Sequence, residues 1–210
     1  MFTISVLSTF VVIVLSLFLI PGPAVLLTVT RTVQSGRKAG IMAGLGIATG
    51  DLIHTLFAAV GLSAILMTSA LAFNVVKFAG VAYLLYLGIR AFLEKPSDPE
   101  LPKVTPVSNL SSYRQAILVE VLNPKTALFF LSFLPQFVQP ERGSSFFQFL
   151  ILGLIFVLLS AMYTTMIAMS VRLLGRLVKR ISWLNRWRGK IVGSIYIGLG
   201  VGVAVQSQSR

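Results

Sequence analysis

The stretch Leu17-Phe-Leu-Ile-Pro21-Gly22-Pro23-Ala-Val25 interrupts an otherwise apolar segment with two prolines. A second stretch, Val119-Glu-Val-Leu-Asn123-Pro124-Lys125-Thr126, interrupts another such segment and carries a lysine at the break. Proline inside a helix lacks an N–H donor and clashes with the preceding turn, so backbone carbonyls lose their partners. Lipid cannot replace those partners, and such backbone persists in a membrane only where protein or water satisfies it. The two breaks therefore predict a polar site inside helices of membrane length.

The composition predicts an all-α integral membrane protein. Hydrophobic residues make up 56% of the 210-residue chain and charged residues only 11%, whereas soluble domains have about 25% charged residues. Six charge-poor segments each approach or exceed the roughly 20 residues that span a bilayer. We therefore expect one transmembrane domain over residues 1–210, with helices at about 3–30, 39–68, 71–92, 113–139, 144–171 and 190–207.

The net charge of +12 is explained by orientation in the membrane and not by nucleic-acid binding. The basic residues lie in short connections between apolar segments, with no long soluble face that could bind nucleic acid. The first, third and fifth connections are rich in arginine and lysine, while the other side carries only Lys77, Arg142 and Arg210. The positive-inside rule then predicts that these three connections face the cytoplasm and that both termini lie outside.

The two halves of the chain have weakly similar motifs at corresponding positions. Gly22-Pro23 corresponds to Asn123-Pro124, and a Gly-x-x-Tyr pattern occurs in both the third and the sixth segments. Because each half has three segments, such a repeat would be inverted across the membrane, as in many transporters. The pattern predicts a 3+3 inverted repeat with broken helices 1 and 4, although chance matches in a glycine-rich apolar chain are the alternative.

The number of residues from the nearest arginine or lysine at a membrane surface places the two breaks and one acidic residue at a common depth in the bilayer. Pro21–Pro23 precede Arg31 by eight to ten residues, Asn123–Lys125 follow Arg114 by nine to eleven, and Asp51 follows Lys38 by thirteen. At about 1.5 Å per residue, all of them lie roughly 12 to 20 Å into a hydrocarbon core about 30 Å thick. They are expected to meet near the midplane of the bilayer.

Asp51 and Lys125 are the most informative residues, because a charge at the centre of a spanning helix costs at least about 2.5 kcal/mol. They could form a buried ion pair that locks helix two to helix four. Alternatively they line a transport cavity, where Asp51 binds a substrate ammonium or a proton and Lys125 binds a substrate carboxylate. The predicted substrate-binding residues are Pro21, Gly22, Pro23, Asp51, Asn123, Pro124 and Lys125.

Asp51, His54 and Glu120 are candidates for proton coupling. His54 follows Asp51 by three residues on the same helical face, although a lone histidine is also typical of neutral packing. Glu120 is expected nearer the cytoplasm, in a vestibule or paired with Arg114. One histidine, no cysteine and scattered carboxylates predict no metal site. No cofactor or enzyme motif is found, so active transport would draw on an ion gradient.

Several motifs together resemble the LysE-type translocator family, which includes bacterial exporters of basic amino acids, homoserine, threonine and leucine. The matching stretches run over nearly the whole chain in order: Pro21-Gly-Pro-Ala24, Gly40-Ile-Met-Ala-Gly-Leu-Gly-Ile-Ala-Thr-Gly-Asp51, Lys77-Phe-Ala-Gly-Val-Ala-Tyr-Leu-Leu-Tyr-Leu-Gly88, Asn123-Pro-Lys125 and Leu134-Pro-Gln-Phe137. This resemblance implies a six-helix protein of the bacterial inner membrane that exports amino acids or close metabolites by proton antiport.

The resemblance and the residues together suggest alternating access around a zwitterion. Its carboxylate would meet Lys125 and the N–H groups after Pro23, and its ammonium would meet Asp51 and carbonyls near Ile20. A neutral amino acid of the homoserine, threonine or leucine type is favoured, because a second carboxylate for a cationic side chain is not obvious. A passive pore or small-ion transporter, a non-transport membrane subunit, and assembly into a homo-oligomer remain open.

Overall fold

The computed structural model describes residues 2–19, 22–68 and 106–178, with isolated positions between 71 and 93 and between 190 and 201. The regular structure of these residues is helical. Helices α1 (Ile4–Phe18), α2 (Pro23–Ser35) and α3 (Arg37–Phe57) are followed by a π-helical turn (Ala58–Leu62) and α4 (Ser63–Thr68). The second region contains α5 (Asn109–Val121), α6 (Pro124–Ser132), 3-10 turns at Leu134–Phe137 and Pro140–Arg142, and α7 (Ser145–Val178).

Two of the described helical stretches are long and apolar enough to cross a membrane by themselves, Arg37–Ile65 and Ser145–Val171. Two bent pairs pass the same test when each pair is taken as one span. The axes of α1 and α2 differ by 57°, and those of α5 and the stretch Pro124–Phe137 differ by 47°. The described residues thus contain two to four candidate spans, and the broken helices predicted from the prolines are bent at the predicted places.

The predicted helices over 71–92 and 190–207 lie outside the described residues, apart from isolated positions. The count of six spans and the 3+3 inverted repeat depend on these two segments. Both therefore stay predictions.

The first connection differs from the expected loop around residues 31–38. Helix α2 continues to Ser35, α3 begins at Arg37, and Gly36 alone separates them with a φ of 86°. This left-handed conformation favours glycine, which has no Cβ to clash. Arg31 consequently lies inside a helix and is only 8% exposed, whereas the charge pattern predicts it in the loop between the first two spans.

Glycines on α3 let three other helices approach it closely. A Cβ at Gly40 would overlap Thr32 of α2, one at Gly44 would lie 2.8 Å from the Thr164 hydroxyl of α7, and one at Gly46 would overlap the Tyr113 carbonyl of α5. Small residues at these spacings are typical of tight helix packing in membranes. Helix α3, which carries Asp51, therefore packs closely against α2, α5 and α7.

Aromatic side chains fill the core between α1, α6 and α7. Phe10, Phe129 and Phe156 are each at most 2% exposed, and the ring centroids of Phe129 and Phe156 are 5.0 Å apart. Phe18 at the end of α1 stacks on Tyr163 of α7 at 5.3 Å. These contacts fix the end of α1 beside the first helix break.

Candidate functional site

Lys125 bridges the two sides of the first helix break. Pro21 has no N–H to donate to the carbonyl of Leu17, four residues earlier. The Lys125 ammonium donates to that carbonyl, with Nζ 2.8 Å from the oxygen. Its stem lies against Gly22, where an added Cβ would be 3.3 Å from Lys125 Cδ. The lysine of the second break thus reaches the backbone of the first.

His54 contacts a backbone carbonyl at the second break, as Lys125 does at the first. Pro124 cannot donate to the carbonyl of Glu120, and this oxygen lies 3.0 Å from His54 Nε2. The N–H of Asn123 donates to the same oxygen at 3.0 Å. Because a carbonyl can only accept, Nε2 of His54 carries a proton in this contact. The lone histidine therefore supplies a second donor to a carbonyl that the proline leaves without its helical partner.

The Glu120 carboxylate is buried and has polar partners at the start of α6. Its residue is 2% exposed, the Asn123 amide donates to both carboxylate oxygens at 3.3 and 3.2 Å, and the Thr126 hydroxyl donates to one of them. The expected vestibule position and pairing with Arg114 are therefore wrong. The reason lies on α3, where the absence of a side chain at Gly50 leaves room for Glu120.

Asp51 is buried without a hydrogen bond to its carboxylate. The residue is 1% exposed, and neither carboxylate oxygen accepts a hydrogen bond from the residues that the structure describes. Lys125 and Asp51 attract each other electrostatically, but the ammonium does not donate to this carboxylate. A locking ion pair with direct hydrogen bonds is thus not what the structure shows. Buried polar groups are nearly always hydrogen-bonded; the polar side chains that interact with this carboxylate are those of Glu120 and Ser160.

These residues meet in one cavity with a volume of about 30 Å³, which is room for about two water molecules. Asp51, Glu120, Lys125, Asn123 and Gly22 all line it. The other predicted site residues lie elsewhere: Pro23 and Pro124 are exposed first residues of α2 and α6, His54 packs beside the cavity, and Pro21 lies outside the described residues.

The far wall of the cavity belongs to α7 and was not predicted. Ser160, Tyr163 and Thr164 line it, and Ser160 and Thr164 are 4% and 2% exposed. Tyr163 and Thr164 follow Ser160 by three and four residues, so all three lie on one face of an otherwise apolar helix. This pattern of hydroxyls on one helix face is the sequence feature from which this wall of the cavity could have been predicted. The apolar part of the lining consists of Leu17, Phe18, Ala24, Val25, Ile47 and Phe156.

The chain is similar to a known family and to several known proteins. The family model described as "LysE type translocator" matches residues 15–207. An uncharacterized membrane protein of Pseudomonas aeruginosa is 32% identical over 206 residues, which are 96% of this chain and 95% of the relative. Proteins called leucine efflux protein, from Enterobacter sp. (strain 638) and Salmonella choleraesuis (strain SC-B67), are 27% and 28% identical, with 93% of both chains covered in each case.

No solved structure matches the chain. The match of the family model nevertheless covers the two helix breaks and every residue named above as lining the cavity. The chain therefore belongs to the LysE type translocator family.

Proposed function

We propose that this protein is a secondary exporter of a neutral amino acid or close derivative, of the leucine, threonine or homoserine type, in the bacterial inner membrane. The observation that carries the proposal is the cavity between the two helix breaks. There the buried carboxylate of Asp51, which accepts no hydrogen bond from the described residues, shares the lining with the ammonium of Lys125. The leucine efflux relatives support the same class of substrate.

The charges of the cavity suit a zwitterion. The substrate carboxylate would bind the Lys125 ammonium, which would then leave the Leu17 carbonyl. The substrate ammonium would bind the Asp51 carboxylate, with the released Leu17 carbonyl beside it. The side chain would lie against Phe18, Val25, Ile47 and Phe156, and this apolar wall favours a substrate without a charged side chain. The cavity does contain a second carboxylate, that of Glu120, but its oxygens already accept from Asn123 and Thr126.

The same charges support coupling to protons. With all groups ionised, the two carboxylates of Asp51 and Glu120 and the single ammonium of Lys125 leave one negative charge in a buried site. Such a charge is costly in a membrane unless it is neutralised. A proton on Asp51 neutralises the site, whereas a zwitterion brings no net charge. The substrate ammonium can only replace the proton beside Asp51, so the two exclude each other there. This exclusion is the basis of antiport, with Glu120 as the fixed partner and His54 as a backbone cap.

Alternating access would require the cavity to expand. Its volume of about 30 Å³ accommodates waters but no amino acid, so substrate binding requires a more open state. Rocking of two inverted three-helix halves around the breaks would open it to either side. In this arrangement the connections rich in arginine and lysine face the cytoplasm and both termini face outward.

Export by cells loaded with leucine, threonine or homoserine from peptides tests the proposal. Asp51→Asn and Lys125→Gln should each lower export at least about tenfold, because each removes one charged partner of the zwitterion. The matched controls Glu141→Gln and Lys38→Gln remove the same charges from exposed positions and should export normally. Normal export by folded Asp51→Asn and Lys125→Gln proteins would overturn the assignment.

Purified protein in liposomes separates the other functions. An antiporter should move the amino acid against its gradient when a proton gradient is imposed, and the movement should collapse with that gradient. A passive pore would conduct without regard to it. A non-transport subunit would move no solute at all.

A further inference from the structure

Arg31 is a buried charge that the proposed substrate site does not use. It lies on α2 and is only 8% exposed. Its Nη1 donates to the side-chain oxygen of Gln34 at 2.6 Å, and its Nη2 donates to the side-chain oxygen of Gln115 on α5. Among the residues that the structure describes, Nε is buried without an acceptor. A guanidinium held by two neutral amides keeps its full positive charge.

The two edges of this guanidinium are occupied differently. Nε and Nη2 lie on one edge, which matches the two oxygens of a carboxylate. In the structure this edge has one partner, Gln115, and one unused donor. A carboxylate that replaced Gln115 would accept from both donors and neutralise the charge, while Gln34 kept its bond to Nη1.

The Arg31–Gln115 contact lies at a defined distance from the cavity. Arg31 follows Pro23 by eight residues, and Gln115 precedes Asn123 by eight, so each is about 12 Å along its helix from a break. The Val107 N–H donates to the Ser35 hydroxyl at 2.8 Å, which shows that the end of α2 and the start of α5 lie together. This is the side whose basic residues predict the cytoplasm.

We propose that Arg31 is a second carboxylate-binding residue, at which the amino acid is held on its way from the cytoplasm to the cavity. The contact with Gln115 joins α2 to α5 between this side and the substrate site. An incoming carboxylate takes the Nε and Nη2 edge and thereby releases α5 from α2. This role rests on the proposed export function and adds a step before binding at Lys125.

Uptake into inside-out membrane vesicles tests this role, because their outer surface is the cytoplasmic face. The substrate is whichever of leucine, threonine and homoserine the wild-type protein moves fastest, and its carboxamide is the competitor. Arg31→Lys keeps the charge but loses the two-donor edge. It should raise the half-saturating amino-acid concentration about tenfold, the loss expected for one hydrogen bond to a charged group, with the maximal rate kept. Inhibition by the carboxamide, which has no carboxylate, should be unchanged.

Gln115→Glu gives the opposite test, since it places a permanent carboxylate on the open edge. The resulting ion pair should raise the melting temperature of the detergent-solubilised protein and lower the maximal rate of uptake at least about tenfold, the loss expected for one or two strong hydrogen bonds that must break. Asn109→Asp makes the same amide-to-carboxylate change at an exposed position of the same helix, so it is the matched variant and should keep uptake. Arg31→Lys decides the matter if Gln115→Glu does not fold.

The outcomes separate this role from a purely structural one. A lowered melting temperature with an unchanged half-saturating concentration in Arg31→Lys would mean that Arg31 only ties two helices together. Unchanged uptake by folded Gln115→Glu would also overturn the role. A wild-type protein that moves none of the three amino acids overturns the export function and this step together, whereas an active wild type with an unaffected Arg31→Lys overturns this step alone.

Discussion

Gly50 determines where the Glu120 carboxylate can be. A Cβ added at Gly50 would lie 2.6 Å from Glu120 Cβ and 2.9 Å from its Cγ. Both distances are far shorter than van der Waals contact, and the Glu120 Cβ atom is fixed by α5. The glycine directly before Asp51 thus lets two carboxylates from different helices share one cavity.

Gly50→Ala should therefore disturb both stability and transport. Forcing α3 and α5 apart should lower the free energy of unfolding by about 1 to 3 kcal/mol, the usual cost of overpacking, and should reduce export through displacement of Glu120. Gly61→Ala is the matched control, since a Cβ there meets nothing within 4 Å. Denaturant titration in mixed micelles measures the first effect. Equal stabilities of the two variants would contradict the packing argument.

At the scale of single residues, the sequence located charged groups better than hydroxyls. Asp51 and Lys125 stand out in apolar segments because a buried charge is expensive, and both line the cavity. Ser160 and Thr164 do not stand out, because hydroxyls bond to their own helix backbone at little cost, as Thr164 does to the Ser160 carbonyl at 2.8 Å. Arg31 was misplaced because the positive-inside rule locates a charge only to a side of the membrane, not to a surface or an interior.

At the scale of helices, each proline break is stabilised by a side chain from another helix. Lys125 of α6 binds the Leu17 carbonyl at the end of α1, and His54 of α3 binds the Glu120 carbonyl at the end of α5. The prolines predicted the two bends, since the missing N–H is visible in the sequence. The partners could not be predicted, because they depend on how three separate helices pack.

The His54 contact should matter only while residue 124 has no N–H. In a Pro124→Ala protein the new N–H can donate to the Glu120 carbonyl, and the hydrogen bond from His54 is no longer needed. A double-mutant cycle should therefore show His54→Ala costing about 1 kcal/mol more in the wild-type background than in the Pro124→Ala background, the value of one hydrogen bond. Pro135→Ala, in the 3-10 turn Leu134–Phe137, is the control background and should leave the cost of His54→Ala unchanged.

If His54→Ala costs the same free energy of unfolding in both backgrounds, His54 contributes only through packing. Its ring lies 5.8 Å from that of Phe130, so truncation creates a cavity in every background. That packing loss cancels in the cycle, and only the contact with the carbonyl remains.

At the scale of the whole molecule, the helix order relates each connection to a side of the membrane. The stretch α5–α6 lies between Ser108 and Glu141 and counts as one candidate span. Helix α7 has 34 residues and at about 1.5 Å per residue is about 50 Å long, well beyond a core about 30 Å thick. Ser108 and Glu141 should therefore lie on opposite sides, with the end of α7 extending past the membrane surface.

Single cysteines can test this order directly, because the chain contains none of its own. In intact cells a membrane-impermeant maleimide should label Glu141→Cys, which is on the side poor in arginine and lysine, and should label Ser108→Cys only after permeabilisation. Both residues are exposed, so access depends on the side alone. A cysteine added after Arg210 should behave like Glu141→Cys, since α7 and the predicted sixth span would return the chain to that side. If the cysteine after Arg210 is labelled only after permeabilisation, as Ser108→Cys is, the sixth span and the inverted repeat are wrong. If all three cysteines show the opposite accessibility, the orientation derived from the basic connections is reversed.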